Sequence, residues 1–204
     1  MKRLLILCVP LIIVSCGQSQ KKKQIMVVPL GIVAQHDIDT VASALRSGFP
    51  FAIHVMKRTA IPARFKVAIK SPRYRADSIL QFLRRIKPDS VDHMVAITSE
   101  DISVTKTEFG KVKEPAEKYR DWGVFGYGYR PGPACVVSTF RLGRNNRSLL
   151  FTRLKKVAIH ELGHNLGLPH CDDDGCPMQD AAESISTVDR AGSALCNACR
   201  DRAE

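Results

Sequence analysis

Three histidines and a glutamate near residue 160 have the spacing of a zinc site. The segment from His160 to His170 reads HELGHNLGLPH. Residues four apart stack on one helical face, so His160 and His164 can bind one zinc ion through their imidazoles. Gly167 permits a sharp turn and Pro169 prevents the helix from resuming, so His170 can return as a third ligand. Three neutral imidazoles leave a position for water, which is typical of a catalytic zinc site.

Glu161 is the predicted general base and acid of this site. Projected at about 100° per residue, it falls on an apolar stripe of the same helix, formed by Leu150, Leu154, Val157 and Ala158. A carboxylate among apolar side chains is costly unless it has a partner. Water activated by zinc is such a partner, because Glu161 can take its proton and later pass it to the leaving amine. The predicted reaction is peptide-bond hydrolysis.

The elements that must position these residues follow from apolar periodicity and from the glycines and prolines. Asp37 is a plausible N-cap for the first helix, and residues 106–120 are predicted to be a loop. The order of elements indicates an α+β fold, a twisted mixed β-sheet with packed helices. The predicted strands are 25–33, 49–56, 64–69, 91–98, 124–129 and 134–140, and the predicted helices are 37–46, 77–86 and 147–166.

Four cysteines follow the histidines in two pairs. Four residues separate Cys171 from Cys176, and two separate Cys196 from Cys199. Both spacings are within the usual range for zinc ligands, so the four thiolates could hold a second, structural zinc ion. Two disulfides are the alternative, because an exported protein meets oxidants.

The stretch from His160 to Cys199 resembles the archaemetzincins, a branch of the metzincin zinc peptidases. The long histidine motif, the cysteine spacings and Met178 all match the family pattern across these 40 residues. The resemblance implies a metzincin-like zincin in which the active-site helix separates two subdomains. Residues 25–167 would form the catalytic N-terminal subdomain, and residues 168–204 a small C-terminal one.

The resemblance also implies roles for particular residues. Met178 would be the Met-turn residue that packs under the histidines, and the cysteines would bind the structural zinc, giving two zinc ions in all. An edge strand within residues 123–140 would hold a peptide substrate by strand addition. Some metzincins use a tyrosine that follows the Met-turn as an extra zinc ligand and oxyanion donor. No tyrosine follows Met178 in this chain, so that tyrosine has no counterpart here.

The first residues predict export and lipid attachment. Lys2 and Arg3 precede a short apolar run that ends in Ser15-Cys16 and resembles a bacterial lipobox. We predict a signal peptide over residues 1–15, a lipid on Cys16 and a tether over residues 16–24. This would anchor the protein to a membrane of the bacterial cell envelope.

Composition limits the alternatives. Apolar residues make up 45% and charged residues 25%, which excludes wholesale disorder. The net charge of +11 permits an anionic partner, so a zinc-stabilised binding module with a basic surface is the alternative function. Glu161 argues against it, because a binding module needs no general base, and we expect no nucleic-acid partner. A non-peptide amide substrate remains a third possibility that the sequence does not separate from a peptide.

Overall fold

The computed structural model describes residues 22–143, 145–180 and 184–203. The predicted signal peptide and Cys16 lie outside the described residues. A single turn of 3₁₀-helix, Ala63–Phe65, precedes the strand that begins at Lys66. The strands are β1 (Gln24–Leu30), β2 (Ala52–Val55), β3 (Lys66–Ala68), β4 (Pro72–Arg75), β5 (His93–Thr98), β6 (Ile102–Val104), β7 (Thr107–Glu108), β8 (Lys111–Val112), β9 (Trp122–Val124), β10 (Gly126–Gly128) and β11 (Ala134–Ser138). The helices are α1 (Gln35–Gly48), α2 (Ala76–Ile86), α3 (Ala116–Tyr119), α4 (Arg147–Asn165), α5 (Ile185–Arg190) and α6 (Asn197–Ala203).

The main sheet has the strand order β10-β11-β5-β1-β2. Its strands are parallel except for β10, which pairs antiparallel with β11 and forms one edge of the sheet. A second sheet, β3-β4-β6-β9, and the β7-β8 hairpin complete the strands of the described part of the chain. The mixed sheets with packed helices confirm the predicted α+β fold.

The main sheet buries both faces, and its strands alternate between two apolar clusters. In β1, Ile25 and Val27 face one cluster while Val28 and Leu30 face the other, as the two-residue period of a strand requires. The first cluster also contains residues of α1, α4 and the C-terminal segment. The second contains residues of α2. Helix α4 therefore packs on one face of the sheet, with α1 beside it.

A buried ion-pair network joins the second sheet to the end of β11. Asp101, just before β6, accepts hydrogen bonds from Arg73 Nε at 2.9 Å and from two guanidinium nitrogens of Arg141 at 2.7 Å each. Arg73 also binds the buried carboxylate of Asp121, which directly precedes β9. Removing one member would leave a buried charge unpaired, which is strongly destabilising. The network therefore fixes the start of β9 relative to the end of β11.

Several sequence predictions differ from the structure. Helix α1 begins at Gln35 after Ala34, so Asp37 lies in its first turn and is buried rather than capping it. The predicted loop at 106–120 contains the β7-β8 hairpin and α3. The predicted strand at 124–129 is divided at Phe125, because β9 belongs to the second sheet and β10 to the main sheet.

No helix among the described residues is long and apolar enough to cross a membrane.

Candidate metal centre and cysteine cluster

Helix α4 carries the first two histidines, and both of its ends are fixed by local hydrogen bonds. The side chain of Asn146 caps the start by accepting a hydrogen bond from Leu149 N at 3.0 Å. At the other end Leu168 N donates to Gly163 O and Gly167 N donates to His164 O, which is a Schellman motif. Gly167 has a φ of +93°, a left-handed conformation that glycine adopts without strain. This turn brings His170 back toward the helix.

The three histidines converge as the sequence predicts. Their ring centroids lie 4.4 Å (His160 to His164), 5.5 Å (His160 to His170) and 5.0 Å (His164 to His170) apart. One nitrogen of each ring can lie within 4.8 Å of the others. Nδ1 of His160 hydrogen-bonds Pro177 O at 2.8 Å, and Nδ1 of His164 hydrogen-bonds Leu168 O at 2.9 Å. These bonds hold Nδ1–H toward the backbone and leave Nε2 as the metal ligand.

Burial keeps His160 and His164 neutral. It lowers the pKa of His160 to about 3, with a further contribution from the neighbouring His164. Burial also lowers the pKa of His164. Neutral imidazole is the form that binds zinc. The donor set therefore fits a zinc ion.

Glu161 is buried beside the triad, against the edge strand. Burial raises the pKa of its carboxyl to about 8. The strand makes room for it, because a Cβ on Gly126 would lie 2.5 Å from Oε1 of Glu161. Gly128 likewise faces α4, where a Cβ would lie 3.1 Å from Glu161 O. The two glycines let the backbone of β10 approach the helix that carries the predicted general base.

Met178 packs against Gly163, the residue that directly precedes His164. Its side chain is fully buried, and its sulfur occupies the space that a Cβ on Gly163 would need. The preceding residue, Pro177, provides the carbonyl that orients His160. Met178 O accepts a hydrogen bond from Cys171 N at 3.0 Å. The turn at Met178 thus connects the histidines to the cysteines.

The four cysteines form one cluster rather than two separate pairs. The sulfurs of Cys171, Cys176, Cys196 and Cys199 all lie within 4.8 Å of one another. The sulfurs of Cys171 and Cys196 are 3.8 Å apart, and all four are free thiols. A hydrogen bond from the backbone of Cys199 lowers the pKa of Cys196, whereas burial raises the pKa values of Cys176 and Cys199. The arrangement fits a four-sulfur structural zinc site.

A cavity of about 470 Å³ opens over the histidines. One wall is the edge strand β10, and the opposite wall comes from α4 and the segment around Val188. The β7-β8 hairpin borders one end. The cavity therefore follows the free edge of β10, the strand within residues 123–140 to which a peptide could add.

Two imidazoles and a buried glutamate on one helix, with a third imidazole just after its end and the edge of a mixed sheet beside them, define a metallohydrolase of the zincin class. The model of peptidase family M54 matches residues 36–204, and the chain belongs to this family of zinc metallopeptidases. It is 32% identical to the archaemetzincin of Halobacterium salinarum over 183 residues, which cover 85% of this chain and 95% of that one.

Solved structures of archaemetzincins are similar as well. That from Methanopyrus kandleri is 26% identical, with a TM-score of 0.72, and the match covers 89% of this chain and 93% of that one. That from Archaeoglobus fulgidus, complexed with malonate, is 27% identical, with a TM-score of 0.69 over 88% and 99% of the two chains. The predicted family and the predicted metzincin-like fold are therefore confirmed.

Three residues of the site were not identified from the sequence. Gly126 leaves space for Glu161. The sequence feature that could have identified it is the alternation of glycines in the segment GYG. Asn165 holds the β10-β11 turn, because its side chain donates to Tyr129 O and Ala134 O. Lys156 lies in the cavity wall. The sequence feature that could have identified it is its position four residues before His160.

Proposed function

We propose that the protein hydrolyses peptide bonds with a zinc ion bound by His160, His164 and His170, and with Glu161 as general base. A zinc ion held there would polarise the substrate carbonyl and lower the pKa of a bound water to about 7. The observation that carries the proposal is the burial of Glu161 beside the triad, against the free edge of β10. A carboxyl group in that position is costly unless it has a polar partner, and a zinc-bound water would be that partner.

Residues of the chain transfer the proton, orient the histidines and bind the substrate. A carboxylate oxygen of Glu161 accepts a proton from the attacking water and returns it to the departing amine nitrogen. The carbonyls of Pro177 and Leu168 keep the rings of His160 and His164 in one orientation. The edge of β10 binds the substrate backbone by strand addition.

We further propose a second, structural zinc ion bound by Cys171, Cys176, Cys196 and Cys199, and Met178 as the Met-turn residue. The support is that all four sulfurs converge and that Met178 packs against Gly163 under the triad. A peptide or protein is the proposed substrate.

Glu161→Gln tests the mechanism. The variant keeps the size of the side chain but cannot act as a base, so hydrolysis should fall by about 10²- to 10⁴-fold. Peptide-library digestion read by mass spectrometry would measure it, and elemental analysis should still find two zinc ions per chain. Retained turnover, or loss of one zinc ion in this variant, contradicts the proposal.

We also propose that residues 1–15 are removed, that Cys16 carries a lipid and that the protein is held at the cell envelope. The support is the lipobox-like segment that ends at Cys16. Wild type should partition into the detergent phase and Cys16→Ala into the aqueous phase. The anchor is refuted if both remain aqueous.

A further inference from the structure

Lys156 lies on the face of α4 that carries the metal ligands. It precedes His160 by four residues and His164 by eight, so the three side chains form one row along the helix. The residue is 7% exposed and lines the cavity that opens over the histidines. A buried lysine in a cavity wall is unusual, because lysine is almost never fully buried unless it is paired.

The ammonium group has carbonyl partners but no carboxylate of its own. Nζ donates to Val188 O and to Asp189 O, both at 2.9 Å. The carboxylate of Asp189 forms two hydrogen bonds of 2.7 Å with the guanidinium of Arg153, which already compensates its charge. An ammonium group has three N–H donors, so one donor of Lys156 is not used by these bonds.

Apolar residues of the cavity wall include Val124, Phe125, Val157 and Ala191, and the charged side chains of Lys106, Glu108, Lys113 and Asp180 also line the cavity. Burying a cation in such a wall is costly, since two carbonyls replace only part of its hydration. If Lys156 served only to tie α4 to α5, the Arg153–Asp189 pair would already do so. An anionic group that enters the cavity would compensate the remaining charge.

We propose that Lys156 makes the cleft select substrates with a carboxylate side chain, Asp or Glu, close to the bond that is cut. The inference rests on the proposed peptidase function. Four residues of helix place Lys156 about 6 Å along α4 from His160, and an extended peptide advances about 3.3 Å per residue. The carboxylate therefore belongs to the first or second residue from the scissile bond, on the side of the cavity formed by Val188.

The test compares peptides that differ only by Glu and Gln at that position. The positions are first mapped by digesting a peptide library with the zinc-loaded, full-length protein. A charge-assisted hydrogen bond is worth about 1.5–3 kcal/mol, so kcat/KM should favour Glu by about 10- to 100-fold. Lys156→Met should bring the ratio to about one by slowing cleavage of the Glu peptide far more than that of the Gln peptide, and Lys156→Arg should restore part of the ratio.

Lys155→Met is the matched control. Lys155 is exposed on the same helix, so this variant removes one positive charge without changing the cavity and should keep the preference for Glu. Equal rates for both peptides in wild type overturn the proposal. So does a Lys156→Met variant that slows both peptides by the same factor, because that is the effect of a purely structural lysine.

Peptide binding is a second test of the Lys156 subsite, and it does not depend on turnover. Fluorescence anisotropy with the Glu161→Gln variant should show tighter binding of the Glu peptide, and adding Lys156→Met should remove the difference. Equal binding of both peptides, or no binding of either, refutes the subsite. A wild type that binds the Glu peptide through Lys156 but cuts no peptide would refute the proposed peptidase function and leave the carboxylate subsite intact.

Discussion

Burial has opposite effects on the pKa values of two adjacent residues of the site. It lowers that of His160 to about 3 and raises that of Glu161 to about 8. Near pH 7 both side chains are therefore neutral in the metal-free protein. The imidazole is ready to bind a metal, whereas the carboxyl must lose its proton before it can act as a base. A bound dication favours the charged carboxylate and so provides that activation.

This difference predicts how zinc affinity depends on pH. Glu161 releases a proton when zinc binds below about pH 8, so the affinity of wild type should rise with pH more steeply than that of Glu161→Gln. Between about pH 6 and pH 8, this proton release should make the zinc affinity of wild type rise by about tenfold more per pH unit than that of Glu161→Gln. His160 adds nothing in this range, because its pKa lies far below it.

Competition with a chelator at several pH values would measure both affinities. The proton release from the cysteine cluster is common to the two proteins and cancels in their difference. Parallel pH dependences for wild type and Glu161→Gln would show that the carboxyl is already ionised before the metal binds.

At the scale of elements, the close approach of β10 to α4 depends on glycine. Gly126→Ala should displace the carboxyl of Glu161, because the new Cβ would lie 2.5 Å from Oε1. We expect the loss of activity to approach that of Glu161→Gln, about 10²-fold or more, while the folded structure persists. Steady-state kinetics and thermal melting of the same preparation would measure both.

Gly48→Ala is the control for that substitution. A Cβ at Gly48 would lie 3.5 Å from Ile159, an ordinary contact on another surface of α4. This variant should keep full activity. If Gly126→Ala is as active as Gly48→Ala, then β10 does not constrain Glu161.

The elements also show how far the sequence could predict this structure. Local spacing predicted α4, its turn at Gly167 and the convergence of His160, His164 and His170, because four-residue periodicity and a glycine stop act over short distances. It could not predict that one β-rich run would divide at Phe125 between two sheets, since that depends on pairing with β6 and β11. Local spacing could not predict the hydrogen-bond partners of Lys156 either, because Val188 and Asp189 lie 32 and 33 residues away in the sequence.

At the scale of the whole molecule, the cysteine cluster supports the three histidines through the turn between them. Cys176 is followed by Pro177, whose carbonyl orients His160, and then by Met178, which packs against Gly163. The C-terminal segment otherwise has only the short helices α5 and α6. Zinc bound by the four sulfurs would supply much of the order of this region, since structural zinc contributes about 10–16 kcal/mol in small peptides.

Cys176→Ser and His164→Ala should therefore differ in their effects. Loss of a sulfur ligand should lower the melting temperature by about 10 °C or more and weaken the catalytic zinc indirectly. Loss of His164 should remove the catalytic zinc with a smaller loss of stability. Melting curves and metal content of the two variants would be measured side by side. A Cys176→Ser protein that melts like wild type with both metals would exclude the four-sulfur site, and two disulfides found by non-reducing mass spectrometry would replace it.

The chain order of the elements has a consequence for biosynthesis. Every strand of the described chain lies between Gln24 and Ser138, whereas all seven candidate zinc ligands lie between His160 and Cys199. A ribosome therefore completes the whole sheet before it adds the first ligand. The proposed catalytic zinc can be bound only after His170 has been translated, so the nascent protein has no complete metal site while its strands are being made.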